Sequence, residues 1–381
     1  MRRPLLVGLV LASVVLLAGC VPGAHTKPTG SPTSTPTKTP DPIAGLTMAQ
    51  RVGQLFMVGT TASAAQQVTL DAVTQRHVGG VFLSGRSSLG VPATAAVVSA
   101  FTGLVGADST GGLPLLVATD QEGGEVQVLQ GAGFSAIPSG LQQGAMEPGE
   151  LQTEAQTWGA QLRSAGVNMD LAPVVDLVPA ATAASNPPIG AFHRQFGADP
   201  GTIVSHADAF RNGMSASGIQ TVIKHFPGLG YVTANTDTTA GVTDTVTVAA
   251  GVSTGIYQQE IAAGARTIMV SSAIYSKIDG SAPAIFSPTV VTGVLRQQLG
   301  FDGVIMSDDL SGATQVLAWS PADRAILAIQ AGDDIVLVSK DPTVAPQMVD
   351  AVLAKAQSDP SFAKLVDAAA RRVVALKAEL G

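Results

Sequence analysis

The sequence alternates eight short apolar runs with segments of helical composition, and this alternation limits the folds that the chain can adopt. Buried apolar strands that alternate with helices are typical of a parallel sheet. Eight such units within residues 43–381 predict an α/β fold, namely a single-domain (β/α)8 barrel of the TIM type. The apolar runs are 55–59, 78–83, 113–119, 167–175, 219–223, 267–271, 303–306 and 334–338.

The helical segments support the same interpretation. A first helix is predicted to begin after Thr47, because Thr47 and Gln50 have the spacing of a capping box and an apolar stripe follows. A doubly wound sheet is the alternative architecture, but no GxGxxG string follows an early strand, which weakens its dinucleotide-binding version. Further helices are predicted around 94–104, 150–164, 200–217 and 252–263.

The N-terminus is typical of a targeting segment and not of a folded domain. Arg2 and Arg3 precede an apolar run over 5–17, which is too short for a comfortable transmembrane helix but suits a signal peptide over residues 1–19. The run ends in L-A-G-C, which resembles a bacterial lipobox, and Cys20 is the only cysteine of the chain. We therefore expect an acylated Cys20, although an ordinary signal peptide with an accidental cysteine is the alternative.

Residues 20–42 are predicted to be a tether that follows the acylated cysteine. Six prolines and six threonines fall within 21–42, and such a composition cannot bury a core. Two or three acyl chains on one cysteine would give stable anchoring. The expected location is the outer face of the cytoplasmic membrane, with the domain at 43–381 held away from the lipid.

Composition and motifs exclude several classes of function. The chain has 21 basic and 28 acidic residues, a net charge of −7 that argues against nucleic-acid binding. A single cysteine excludes an internal disulfide framework and a thiolate zinc site. The five histidines are dispersed, and neither HExxH nor a P-loop occurs, so we expect no metal and no cofactor. A GxSxG string at 251–255 follows a Thr/Ala-rich stretch and is attributed to chance.

Polar residues cluster where the predicted strands end. In a barrel, active groups lie at the carboxyl ends of the strands. Aspartates together with a Lys-His pair provide both acceptors and donors, as the hydroxyl groups of a sugar require. These strand-end residues are Asp120-Gln121-Glu122, Asp176, Lys224-His225, Ser271-Ser272 and Ser307-Asp308-Asp309.

Five motifs together resemble glycoside hydrolase family 3, in the order that this family shows. They are DQEGG at 120–124, DLAPVVD at 170–176, RQFGADP at 194–200, KHFPGLG at 224–230 and GVIMSDDL at 303–310. The resemblance extends from residue 44 to about 375, and its nearest members are single-domain β-N-acetylglucosaminidases that process peptidoglycan fragments. It implies a barrel domain at 43–381 and a retaining glycosidase.

A retaining glycosidase needs a nucleophile and an acid/base group about 5–5.5 Å apart. The resemblance implies that Asp308 is the nucleophile, and Lys224 and His225 are expected to supply donors that keep it ionised. A helix N-cap is the alternative role for Asp308, although Asp309 can fill that role instead.

The resemblance also implies that four side chains hold the hydroxyl groups of the terminal sugar, namely Asp120, Arg194, Lys224 and His225. A buried core histidine is the alternative for His225. A surface ion pair is the alternative for Arg194.

The chain departs from the family pattern at its acid/base group. In the family, an Asp-x-His dyad begins five residues after the last glycine of KHFPGxG, but Asn235 and Asp237 occupy those two places here. Asp237 is therefore our candidate acid/base, with Asn235 as a possible orienting donor, on a threonine-rich loop at 231–239 that is expected to close over the sugar. The alternative is that Asp237 is a turn residue and that His193 or water supplies the proton.

Two further departures concern substrate preference. The family's DQEGG loop continues with arginines, where this chain has Glu125 and Val128, and its sixth strand carries a histidine that is missing from 269–272. The expected function is exo-hydrolysis of terminal GlcNAc from peptidoglycan-derived disaccharides or muropeptides by a monomeric lipoprotein. A β-glucosidase, a phosphorolytic relative and a non-catalytic sugar-binding lipoprotein are the alternatives.

Overall fold

The computed structural model describes residues 41–380, so the predicted signal peptide, Cys20 and most of the 20–42 tether lie outside the described residues. The strands are β1 Phe56–Thr61, β2 Gly80–Ser84, β3 Leu116–Thr119, β4 Gln121–Gly123, β5 Val126–Gln127, β6 Met169–Asp170, β7 Gln220–Thr221, β8 Ile223–Phe226, β9 Thr243–Asp244, β10 Thr267–Val270, β11 Ile274–Tyr275, β12 Asp279–Pro283, β13 Val304–Ser307 and β14 Val336–Val338.

The α-helices are α1 Met48–Gln54, α2 Gln67–Arg76, α3 Gly90–Thr102, α4 Ala107–Thr110, α5 Gly140–Gln143, α6 Pro148–Ser164, α7 Pro200–Ala216, α8 Val252–Ala262, α9 Pro321–Ala331, α10 Ala345–Ser358 and α11 Pro360–Lys377. A π-helix spans Thr289–Gln298, and short 3-10 turns lie at Ala183–Ser185, Gly190–Phe192, Ala284–Phe286, Thr314–Val316 and Pro342–Val344. Of the helices within 41–380, none is both long enough and apolar enough to cross a membrane.

The predicted α/β fold with parallel strands is confirmed. One parallel sheet has the order β14-β1-β2-β3-β6-β7, and a second has the order β13-β10-β8. The two sheets are linked by isolated parallel bridges at Val174–Lys224 and Met306–Ile335 and do not form one continuous eight-stranded ladder within 41–380. A small sheet of β9, β11 and β12 and the hairpin β4–β5 stand outside this arrangement.

Alternate side chains of the strands point into two separate apolar clusters. Along β1, Phe56 and Val58 belong to the larger cluster beneath the helices, whereas Met57 belongs to a smaller one. The smaller cluster also contains residues from β2, β3, β6, β10, β13 and β14, and Leu376 of α11. Strands with apolar side chains on both faces are the expected consequence of a parallel sheet covered by helices.

The predicted start of the first helix is also confirmed. Thr47 is the N-cap of α1, its hydroxyl accepts the Gln50 main-chain N–H at 3.2 Å, and the Gln50 side chain accepts the Thr47 N–H at 3.0 Å. Each of the eight predicted apolar runs overlaps at least one strand, so polar residues that follow these runs lie near the carboxyl ends of the parallel strands.

Candidate active site

A cavity of about 280 Å³ opens at the carboxyl ends of the strands. Its lining includes side chains that directly follow β3, β13 and β14, together with two residues of β8. All seven residues within 41–380 that the sequence analysis put forward as catalytic, orienting or sugar-holding candidates line this cavity. They are Asp120, Arg194, Lys224, His225, Asn235, Asp237 and Asp308.

Glu122 joins the two cations of the cavity. Its carboxylate accepts from Arg194 Nε at 2.8 Å and Nη2 at 2.7 Å, and Lys224 Nζ lies 2.7 Å from Oε1. Burial opposes ionisation of Glu122, but the charges of Arg194 and Lys224 outweigh it and lower its pKa to about 2. Arg194 is therefore part of a buried charge network and not a surface ion pair. Sequence reasoning placed Glu122 among the polar strand-end residues but did not predict its pairing with the two cations.

The ammonium of Lys224 extends the network to Asp120, whose Oδ1 accepts from Nζ at 2.7 Å. Burial works against the charged lysine, but Asp120 and Glu122 outweigh it and raise the pKa of Lys224. Asp170 lies behind this segment, and its Oδ1 accepts the Gln121 N–H at 2.9 Å. Burial raises the pKa of Asp170 to about 8. Asp170 thus fixes the main chain at Gln121, which lies between Asp120 and Glu122, the two acidic residues that contact Lys224.

His225 is oriented by a second buried carboxylate. Its Nδ1 lies 2.7 Å from Asp176 Oδ2, and Asp176 Oδ1 accepts the Leu229 N–H at 2.7 Å. A hydrogen bond from Nδ1 to a carboxylate fixes the tautomer, so Nε2 is the acceptor nitrogen. Nε2 lies 3.5 Å from Arg194 Nη2, and His225 lines the cavity. The imidazole therefore faces the site and is not merely a core residue.

The two aspartates after β13 have different surroundings. Asp309 accepts from the Ser311 hydroxyl at 2.6 Å, the Gly312 N–H at 2.7 Å and the Ser339 N–H at 2.8 Å. Asp309 thus anchors two loops, and no helix begins at either aspartate, so neither fills the N-cap role that was the alternative for Asp308. Asp308 is half-buried, and its Oδ1 accepts the Asp309 N–H at 2.8 Å.

The expectation that Lys224 and His225 donate to Asp308 is wrong. The Lys224 ammonium is directed to Asp120 and Glu122, and the ring nitrogens of His225 face Asp176 and Arg194. The donors were assigned from strand order alone, which does not show that the acidic residues after β3 and on β4 lie within hydrogen-bond distance of Lys224.

Asp237 lines the same cavity and is an exposed residue, although protein atoms surround much of its carboxyl group. Desolvation by the surrounding protein, with the negative charges of Asp308 and Asp309, raises its pKa to about 6. The Asp237 carbonyl oxygen accepts from the Thr314 N–H at 3.2 Å and the Thr314 hydroxyl at 3.0 Å. The loop that carries Asp237 is therefore attached to the segment after β13.

Asn235 does not orient the Asp237 carboxyl group as expected. Its side-chain oxygen accepts the Asp237 main-chain N–H at 2.8 Å, as in an Asx-turn, and within 41–380 its amide donates no hydrogen bond to that carboxyl. Asn235 therefore stabilises the turn and does not orient the candidate proton donor, the Asp237 carboxyl group. His193, the alternative donor, is exposed and is not among the residues that line the cavity.

A side cavity of about 210 Å³ adjoins the main one and shares Phe82 and Asp120 with it. Glu125 and Val128, which replace the family's arginines, line it together with Arg86 from the loop after β2. The Arg86 guanidinium donates to the Glu125 carbonyl oxygen. An arginine from another part of the chain thus stands beside the DQEGG loop, and no sequence motif indicated it.

The histidine missing after β10 is replaced by a buried hydroxyl pair. Ser271 Oγ and Tyr275 OH are 2.9 Å apart, and the Tyr275 hydroxyl donates to the Gly228 carbonyl oxygen at 2.8 Å. This contact supports the KHFPG turn from behind. Within the described residues, no group of three or more His, Cys, Asp and Glu side chains is arranged to hold a metal ion.

Comparison with known proteins places this geometry in context. Residues 47–376 match the Glycosyl hydrolase family 3 N terminal domain. The chain is 30% identical over 364 residues to the Beta-hexosaminidase LpqI of Mycobacterium tuberculosis, with 88% of each chain covered. It is 34% identical over 240 residues to a Beta-hexosaminidase of Vibrio cholerae, with 62% of this chain and 69% of that protein covered.

The solved structures include a similar protein at higher identity. The β-N-acetylhexosaminidase of Beutenbergia cavernae is 63% identical and superimposes with a TM-score of 0.87. The alignment covers 87% of this chain and 99% of that protein.

Proposed function

Because this chain belongs to glycosyl hydrolase family 3 and is a glycoside hydrolase that acts on terminal GlcNAc, we propose that it is a retaining exo-β-N-acetylglucosaminidase. Its substrates are peptidoglycan-derived fragments such as GlcNAc–MurNAc, and a covalent glycosyl-aspartate is its intermediate. The observation that carries this proposal is that one cavity contains a half-buried carboxylate, a second carboxyl with a raised pKa and four groups suited to sugar hydroxyls.

The nucleophile in this proposal is Asp308. Its carboxylate oxygen forms a bond to C1 of the sugar while the bond from C1 to the leaving oxygen breaks. The Asp309 N–H donates a hydrogen bond to Asp308 Oδ1 and so helps to orient the attacking carboxylate. The Asp309 carboxylate already accepts hydrogen bonds from loop donors. It therefore fixes the main chain next to Asp308 and is not the group that attacks the sugar.

The acid and base of the two half-reactions is Asp237. A carboxyl with a pKa of about 6 keeps its proton in mildly acidic solution and can transfer it to the leaving oxygen. In the second step the Asp237 carboxylate takes a proton from water, and the water oxygen replaces Asp308 at C1. A negative carboxylate at this position repels phosphate dianion, which supports hydrolysis over phosphorolysis.

The remaining groups hold the sugar. Asp120 and His225 Nε2 offer acceptors, whereas Arg194 and Lys224 offer donors, and Glu122 fixes the distance between the two cations. The alternation of acceptors and donors matches a ring that carries several hydroxyl groups. These contacts would surround the terminal sugar of the glycan, which supports cleavage at the end of the glycan, that is, exo action.

The cellular part of the proposal rests on the sequence of the N-terminus. The L-A-G-C string ending at Cys20 and the Pro/Thr-rich segment after it support a lipid-anchored enzyme on the outer face of the cytoplasmic membrane. Such a location would place the cavity next to the cell wall, where GlcNAc-terminated fragments arise.

Product analysis on GlcNAc–MurNAc, with and without inorganic phosphate, tests the proposal. We expect free GlcNAc, released first as the β-anomer in NMR spectra, and the same product when phosphate is present. GlcNAc 1-phosphate would indicate phosphorolysis, the α-anomer would contradict a covalent intermediate, and binding without turnover would indicate a sugar-binding protein. Cleavage of an aryl GlcNAc but not of the disaccharide would contradict the proposed substrate class.

A further inference from the structure

Among the residues that the structure describes, three lysine or arginine side chains line the main cavity, and they differ in their partners. Arg194 and Lys224 are paired with Glu122 and Asp120. Lys340, which follows β14, is exposed at the rim, and no carboxylate within 41–380 lies within ion-pair distance of its ammonium. Its charge is therefore available to a ligand.

The position of Lys340 is set by the nucleophile's own loop. Its main-chain N–H donates to Asp309 Oδ1 at 3.3 Å, and the Ser339 N–H donates to the same oxygen at 2.8 Å. The aliphatic stem lies across Gly312, where an added Cβ would be only 2.7 Å from Lys340 Cδ. Lys340 is thus held beside the Asp308 end of the cavity, where the bond to the leaving group is broken.

The charges at that end are otherwise negative. Asp237, Asp308 and Asp309 all line the cavity there, whereas the paired cations belong to the sugar-binding network. A leaving group that carries a carboxylate would be repelled by Asp308 and Asp309, and by Asp237 once it has given up its proton, unless a cation compensates for them. We infer that Lys340 determines aglycone specificity by binding a carboxylate on the sugar or lactyl ether next to the scissile bond. This inference rests on the proposed function and names the charge class of its aglycone.

The test compares two substrates that differ only in that charge, namely GlcNAc–MurNAc and the same disaccharide with its lactyl group converted to the amide. The measured quantity is the ratio of kcat/KM for the acid to kcat/KM for the amide. In K340M, which keeps the aliphatic stem, we expect this ratio to fall roughly threefold to tenfold, as is typical of a charge-assisted contact at a partly exposed site. K340R should retain most of the ratio.

Two controls separate this effect from general damage. K277M removes an exposed lysine that does not line the cavity and should leave the ratio unchanged. Added salt should lower the ratio of the wild type more than that of K340M, because screening weakens only the charged contact.

The inference is overturned if K340M keeps the wild-type ratio, or if it loses activity on acid and amide equally, since the lysine would then act on Asp308 or on the fold. A failure of the proposed function gives a different result, because the wild-type enzyme would then cleave neither the acid nor the amide. That result would also overturn the inference about Lys340.

Discussion

The protonation of Asp237 gives the sharpest test of the mechanism. In the proposed mechanism Asp237 must be protonated to help the leaving group depart, so kcat/KM on a sugar leaving group should fall above its pKa of about 6. Each pH unit above this value lowers the protonated fraction tenfold, so at about pH 8 only roughly 1% of the enzyme is active in the first step. The pKa is raised by desolvation and by the charges of Asp308 and Asp309, and ionisation removes the proton that the reaction needs.

The assay uses two substrates with different leaving groups. On GlcNAc–MurNAc, D237N should lose roughly 10²–10⁴-fold in kcat/KM, and the decline above pH 6 should disappear with the ionisable group. On 2,4-dinitrophenyl β-GlcNAc, whose leaving group needs no proton, kcat/KM should lack that decline even in the wild type. In D237A, azide should restore turnover and yield the glycosyl azide.

D302N is a matched control. Asp302 is an exposed aspartate that precedes β13, at the opposite end of the strand from Asp308, and its replacement should leave the pH profile unchanged. A decline above pH 6 that persists in D237N would refute the assignment. So would equal losses on both substrates without an effect of azide, and His193 would then be the next residue to replace.

Four further substitutions test the nucleophile, the buried charge network, a buried aspartate and the lipid anchor. D308A should lose several orders of magnitude in kcat because the covalent route is gone, and mass spectrometry after a fluorosugar should locate the label on Asp308 and not on Asp309. E122Q should raise KM and lower Tm, since two buried cations lose a shared partner at a cost of about 3–5 kcal/mol. Burial raises the pKa of Asp333, whose carboxyl oxygens have no hydrogen-bond partner within 41–380, so folding favours the protonated form of this group. The free energy of unfolding therefore falls as the pH rises above the pKa that Asp333 has in the unfolded chain. D333N should raise Tm by ~2–4 °C near neutral pH but not in acid, as calorimetry can show. C20A should move the protein from the membrane fraction to a soluble pool without altering turnover, and a variant that stays with the membrane would contradict the anchor.

The fold was largely predictable because its signals are local. A capping box needs only Thr47 and Gln50, and an apolar run reports a strand wherever it lies. Strand lengths were less predictable, since they depend on partners. The predicted run at 167–175 contains only the two-residue strand Met169–Asp170, and Pro173 has no N–H to offer to a ladder.

The composition of the cavity was predictable, but its internal contacts were not. Motif residues identified the strand ends, and the structure brings all seven together. Glu122 is separated in sequence from Arg194 by 72 residues and from Lys224 by more, so no local sequence signal indicates that they pair. The predicted partner of Asn235, the Asp237 carboxyl group, was wrong for a similar reason. The short asparagine side chain bonds the main-chain N–H of Asp237 within its own turn instead.

The contacts of the segment after β13 explain how the two carboxyl groups that we propose as catalytic, which come from distant parts of the chain, can keep a fixed separation. This segment carries Asp308 and continues into Thr314 and Gln315. Gln315 donates its main-chain N–H to the Thr236 carbonyl at 3.0 Å, and its side chain bonds both the N–H and the carbonyl of Val242 at 2.9 and 3.2 Å. The loop with Asp237 is therefore attached on both sides of the carboxyl to the segment that carries Asp308. The distance between acid and nucleophile depends on these few hydrogen bonds, so an acid/base group of a different type can be carried on this loop without any change in the strands.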